Sequence, residues 1–309
     1  MDFKNTTELF MHAFMYELEK NLKSNSELLK AINFHADEAN VDAELKGFLK
    51  KFIKEKFNRL PDDKKEYQLS IVSKKSKESQ KQTHPYSDFF NLYVKKVYLP
   101  SELTDELKEI VRKEKKLFVN PDLLLEIREE GTESVAFIPI ELKSTKKDSI
   151  RGSSIQQVTP SEWVLFVKHT DSTVNITAGQ YVNSITEAVH FPDRSPRPDV
   201  SFKTLIDHNE KNRLEEEKEL IYSNDVNSLE ERHKLLGDWQ GLLVERWLEV
   251  INRDNIRKNE AWFNNSIRRY TIDFLTMYEQ LSDTEKTDLK KKIKDTISLY
   301  KKSDIQDIE

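Results

Sequence analysis

Apolar residues recur every three to four positions through the first 60 residues. Leu9, Phe10, Phe14, Leu18 and Leu22 form one stripe, and Leu45, Phe48, Leu49, Phe52 and Ile53 form a second. This spacing predicts helices over 5–60, ended by Pro61-Asp62-Asp63. A strand is predicted over Tyr67–Val72, followed by a Lys-, Ser- and Gln-rich loop to residue 83. Residues 101–116 read as a charged helix with Leu103, Leu107 and Ile110 on its apolar stripe and Ser101 as its N-cap.

The period then shortens to two. Residues 117–127 and 133–143 alternate as strands around the turn at 129–132, which predicts a hairpin. Ser153–Val158 fits a short helical segment broken by Pro160. Residues 162–169 form an almost unbroken apolar run, the mark of a buried central strand. A further strand is predicted over 173–182, and a proline-rich loop without regular structure over 190–202. Helices return at 209–222, 226–252, 255–281 and 283–301, and no fixed-period repeat is present. The chain therefore divides into an N-terminal helical region (1–60), a mixed α/β core (61–205) and a C-terminal helical region (206–309).

Composition narrows the chemistry. Cysteine is absent from the 309 residues, which excludes disulfides, thiolate nucleophiles and Cys-ligated metals. With 6 Gly and no Gly-rich phosphate-loop motif, a nucleotide-binding loop is not expected. No basic start leads into an apolar run and no window of about 18 apolar residues exists, so neither a signal peptide nor a membrane span is expected. A soluble, cytoplasmic protein is the expectation. Net charge is −5, but residues 1–60 and 61–205 are each balanced and 206–309 carries the deficit. Within the balanced middle, bases cluster at Lys74, Lys75, Lys77 and Lys81, and again at Lys143, Lys146, Lys147 and Arg151. Such local patches steer polyanions whatever the overall charge.

Alternation places the candidate chemistry. In the second hairpin strand, Ala136, Ile138, Ile140 and Leu142 share one face, while Glu141 and Lys143 project together from the other, ~6–7 Å apart at Cα. In the first strand Leu123, Leu125 and Ile127 are apolar partners, and Asp122, Leu124 and Glu126 oppose them. A register that joins the apolar faces brings Asp122 beside Glu141 and Lys143. Two carboxylates, with the backbone carbonyl of Leu142, suit a hard divalent cation. Such a cation neutralises charge on a phosphoryl group and activates water. Lys143 would orient the water or stabilise developing charge, and Mg²⁺ dependence is expected.

Pro121-Asp122, eighteen intervening residues, and Glu141-Leu142-Lys143 resemble the PD-(D/E)xK nuclease superfamily. Within it, the stretch from about 117 to 202 looks most like a type II restriction endonuclease. The resemblance covers under a third of the chain. It implies a restriction-endonuclease-like core with a central mixed sheet, Asp122 and Glu141 on metal, Lys143 in catalysis, and Gln156 or Gln157 in a supporting position. Many such enzymes add an acid from an upstream helix, for which Glu17, Glu44 and Glu55 are candidates. The implied substrate is double-stranded DNA, cut symmetrically by a homodimer. Ser144, Thr145, Lys146, Lys147, Arg151, Ser153 and Ser154 would grip phosphates, with a solvated loop as the plain alternative. Arg194 and Arg197, in the proline-fenced loop, would contact guanine or phosphate, or pair with Asp193 or Asp199. The Lys74–Lys81 run would embrace DNA. The C-terminal helices would serve dimerisation first and sequence reading second. A repair nuclease that cuts by structure, and a non-catalytic DNA-binding module, are the competing readings.

Overall fold

The computed structural model describes residues 2–32, 38–75, 78–112, 121–153, 159–170, 172–189, 198–225, 239–252 and 261–306. The chain is mixed α/β. Three helices come first: α1 (Phe3–Ser24), α2 (Ser26–Lys30) and α3 (Glu38–Lys56). The Asp2 side chain caps α1 by accepting from the Asn5 N–H at 2.8 Å, and Phe10, Phe14, Leu18 and Leu22 bury its stripe completely.

A five-stranded sheet forms the centre, in the order β3-β4-β5-β7-β8. Its strands are β3 (Leu92–Tyr98), β4 (Leu123–Glu129), β5 (Val135–Thr145), β7 (Trp163–His169) and β8 (Val174–Gln180). All neighbours are antiparallel except β5 and β7, which run parallel. The hairpin alternation holds: Leu123, Leu125 and Ile127 pair with Ile140, Ile138 and Ala136. Gly131, at φ 77°, supplies the left-handed residue that the turn needs. One face of this sheet packs with α1–α3 in the largest apolar core, which takes in Leu142, Leu165 and Val167. On the opposite face Val164 and Phe166 pack with Tyr181, Val200, Phe202 and Leu205.

A small sheet β6-β10-β9 covers that second face, built from β6 (Ser149–Arg151), β9 (Ile185–Val189) and β10 (Pro198–Ser201). Helix α5 (Phe202–Asn212) follows directly, capped by Ser201, whose Oγ accepts from the Thr204 N–H. A four-stranded sheet, β11-β12-β1-β2, completes the α/β part. It contains β1 (Gln68–Lys75), β2 (Glu78–Pro85), β11 (Arg213–Glu216) and β12 (Glu219–Asp225). Beyond it lie α6 (Trp239–Asn252), α7 (Ala261–Glu279) and α8 (Asp283–Gln306). No helix among the described residues is long and apolar enough to cross a membrane.

Four local expectations are corrected. The Lys-rich segment before residue 83 is a β1–β2 hairpin, because Leu69 and Ser70 are buried and the polar β2 completes the ladder. Helix α4 (Asp105–Arg112) begins at Asp105, not Ser101: Thr104 is the cap, its Oγ1 accepting from the Leu107 N–H at 3.3 Å, and Ile110 is exposed. The helix expected at 209–222 ends at Asn212, and Arg213–Asp225 is a hairpin whose β12 pairs parallel with β1. Pro198–Ser201, assigned to an irregular loop, is a strand. Proline tolerates the first position of such a strand.

Candidate functional site

β4 and β5 bring their site residues to one end of the central sheet. The Leu123–Ile140 pairing carries Asp122, just before β4, to the position opposite Glu141. Asp122 Oδ2 accepts from the Leu142 N–H at 2.8 Å. A strand residue points its N–H and its C=O to the same edge, so the Leu142 carbonyl lies toward Asp122 as well. Lys143 Nζ donates to Glu141 Oε1 at 2.7 Å and to Ser153 Oγ at 2.8 Å. The Ser153 hydroxyl also donates to Glu141. From α3, Lys46 Nζ lies 2.7 Å from Asp122 Oδ1. The site thus holds two carboxylates and two ammonium groups. Their side chains are only 10–19% exposed.

Its electrostatics are those of crowded acids. Burial first, and the Glu141 charge second, push the Asp122 carboxyl above its ordinary value, against Lys46 and the Leu142 N–H. Beneath the site Tyr181 is fully buried, and its hydroxyl accepts from the Ser153 N–H at 2.9 Å. Burial and then the Glu141 charge push this phenol up. Gly152 lets the segment approach so closely. A Cβ there would fall 2.3 Å from the Pro198 carbonyl oxygen and 2.5 Å from the Tyr181 hydroxyl.

The donor set fits a hard divalent cation in part. Asp122, Glu141 and the Leu142 carbonyl are oxygen donors at one place, and the carboxyl pair carries repulsion that a cation would relieve. Among the described residues no group of three or more His, Cys, Asp or Glu side chains gathers. Two carboxylates with water completing the shell is how Mg²⁺ is commonly held. The upstream acids are placed elsewhere or outward. Glu17 is buried 3.8 Å from Lys64, and Glu44 and Glu55 are exposed.

The other site candidates scatter. Ser144 turns to the face of β5 opposite Glu141 and Lys143, and its hydroxyl is buried. Thr145 shares their face, is buried, and accepts from the Lys147 N–H at 3.0 Å. Lys146, Lys147 and Arg151 are exposed near the site. Ser154, Gln156, Gln157, Arg194 and Arg197 lie outside the described residues. Two participants had no sequence signal. Lys46 reaches Asp122 from a helix of the N-terminal region, far from it along the chain, and Tyr181 reads as an ordinary strand aromatic. Ser153 stands in the loop expected to grip phosphate but serves the Glu141–Lys143 pair. Comparison with known protein families, with curated proteins and with solved structures found no match.

Proposed function

We propose that this chain is a Mg²⁺-dependent, sequence-specific endonuclease of the PD-(D/E)xK type that hydrolyses phosphodiester bonds in double-stranded DNA. The observation that carries this reading is the convergence of Asp122, Glu141 and Lys143 at one end of an antiparallel hairpin. The strand order supports it: β5, with the acid and the lysine, lies between β4 and a parallel β7, as in a restriction-endonuclease-like core.

Asp122, Glu141 and the Leu142 carbonyl would hold the cation. When bound, it supplies charge neutralisation at the phosphate and activation of water. Lys143 is held by Glu141 and Ser153, which use two of its three N–H donors. The third is left for the attacking water or a phosphoryl oxygen, where a fixed ammonium stabilises developing charge. Tyr181 and Gly152 seat Ser153, and so position Lys143 indirectly. Lys146, Lys147 and Arg151, exposed beside the site, suit backbone phosphates. Cutting both strands of a palindrome needs two copies of the site related by a two-fold axis, hence a homodimer. Leu248, Ile272 and Ile297, more than half exposed on α6–α8, offer apolar surface for it.

A purely structural role is the second reading, favoured by the fact that each acid already has an ammonium partner. Digestion of a sequenced plasmid with Mg²⁺ separates the two. Discrete fragments are expected from the wild type. Asp122→Ala, Glu141→Ala and Lys143→Ala are expected to lose cleavage by on the order of 10³-fold while retaining DNA binding. Smeared products would favour a nuclease that cuts by structure. No cleavage by the wild type, or wild-type rates in all three variants, would sink this site.

A further inference from the structure

We propose that Lys46 is an internal counter-ion that occupies the cation site when metal is absent and is displaced when a divalent cation binds. This inference rests on the metal-site reading above. The two oxygens of Asp122 are divided between different partners. Oδ2 takes the Leu142 N–H at 2.8 Å, and Oδ1 takes the Lys46 ammonium at 2.7 Å. The same carboxylate is the first donor that a divalent cation would use. Lys46 stands in the middle of α3, its side chain only 15% exposed, so its ammonium is directed into the site rather than into bulk solvent.

Charge explains why an ammonium belongs there. Asp122 and Glu141 stand opposite each other with side chains only 19% and 10% exposed, and two carboxylates so placed repel. Lys143 answers Glu141, and Lys46 answers Asp122, so the four groups sum to zero. A divalent cation on Asp122 would face the Lys46 ammonium at short range. In a partly buried site that repulsion is many times thermal energy. The cation and the ammonium therefore compete for one oxygen. Lysine suits the role because its charge is a point on a flexible four-carbon stem, which can withdraw without a backbone change. Lys143 is not the group displaced, because Glu141 and Ser153 both hold it.

Competition makes a prediction opposite to that of a structural ion pair. Titration of Mn²⁺ into the full-length chain, without DNA, reads it directly by calorimetry. Lys46→Met is expected to bind Mn²⁺ ~10-fold more tightly than the wild type, because the competing charge is gone. Lys46→Arg keeps the charge and is expected to bind no more tightly than the wild type. Asp122→Asn placed on Lys46→Met is expected to abolish the gain. Should Lys46→Met fail to fold, Lys46→Gln serves the same comparison. Equal or weaker binding by the neutral variant would overturn the displacement while leaving the metal site standing. Mn²⁺ binding by neither protein would overturn both. Tighter binding without plasmid cleavage would uphold the displacement and remove the nuclease reading.

Discussion

Glu19 and Glu215 lie in one group of acids, and Asp122 and Glu141 in another, and the two groups are held in opposite ways. Glu19, 2% exposed on α1, accepts from the Ala178 N–H at 2.8 Å and from the Arg213 guanidinium at 2.9 Å. Glu215 accepts from the Tyr16 hydroxyl, Lys20 and Lys64. Burial alone would raise the Glu215 carboxyl, but the hydrogen bonds from Lys20, Tyr16 and Lys64 outweigh it and hold it at about 2. Asp122 sits at the other extreme, raised by burial and by a second acid. In the first group donors outnumber acids and tie α1 to β8 and β11. In the second, acid faces acid. A fold gains from the first arrangement and gives up stability for the second, which makes the second the place to look for chemistry.

The contrast is tested most severely by removing one cation from the network. Arg213, its side chain 8% exposed, is the main partner of a buried carboxylate. Arg213→Met leaves the Glu19 charge short of its partner, and a loss of about 3–5 kcal/mol is expected in urea unfolding. A change under about 1 kcal/mol would mean that the Ala178 N–H and Lys23, whose ammonium lies 2.5 Å from Glu19, satisfy this carboxylate without Arg213, and that the network is less of a scaffold than its geometry implies.

The site should respond with the other sign. Asp122→Asn removes the repulsion with Glu141, and a gain of up to about 1 kcal/mol is expected at neutral pH. The pH dependence separates the two groups further. A carboxyl raised in the folded state binds its proton more tightly there than in the unfolded chain. Its cost is therefore present at neutral pH and vanishes as pH falls below the ordinary carboxylate value. The gap between wild type and Asp122→Asn should close over that fall. Glu215, depressed from 4.5 to about 2, behaves oppositely: its stabilisation is full above 4.5 and is lost as pH falls toward 2. Glu215→Gln should remove that loss. Urea unfolding at pH 7 and at about pH 3 reads both, and a gap that widens for Asp122→Asn on acidification would contradict the assignment.

How far the sequence revealed these groups follows from the range of the contacts. The hairpin is legible because Leu123, Leu125 and Ile127 alternate with polar positions and Gly131 marks the turn. Such signals are local, and the register that brings Asp122 to Glu141 follows from them. The Lys46 partnership was hidden because it joins a helix to a strand far along the chain. The β11–β12 hairpin reads as helix in the sequence for a related reason. Its string of charges around Glu215, Glu216 and Glu217 suits a solvated helix, and only the parallel pairing of β12 with β1 overrides that preference. Arg213 and Glu215 reach the network through this hairpin, so the scaffold group stayed as hidden as the strand that carries it.

That hairpin also permits the gentlest test. β11 and β12 are joined by two residues, and the first, Glu217, has φ 37°. A side chain in the left-handed region costs about 1 kcal/mol, and glycine is the residue that two-residue hairpins prefer there. Glu217 is exposed, so its replacement removes no buried contact. Glu217→Gly is expected to gain somewhat under 1 kcal/mol in urea unfolding, since glycine's greater freedom in the unfolded chain offsets part of the relief. Because the turn serves Glu215 and not Asp122, plasmid cleavage and Mn²⁺ affinity should stay at wild-type values. A stabilised hairpin that also altered either would couple the two acidic groups, and the division between scaffold and site would no longer hold.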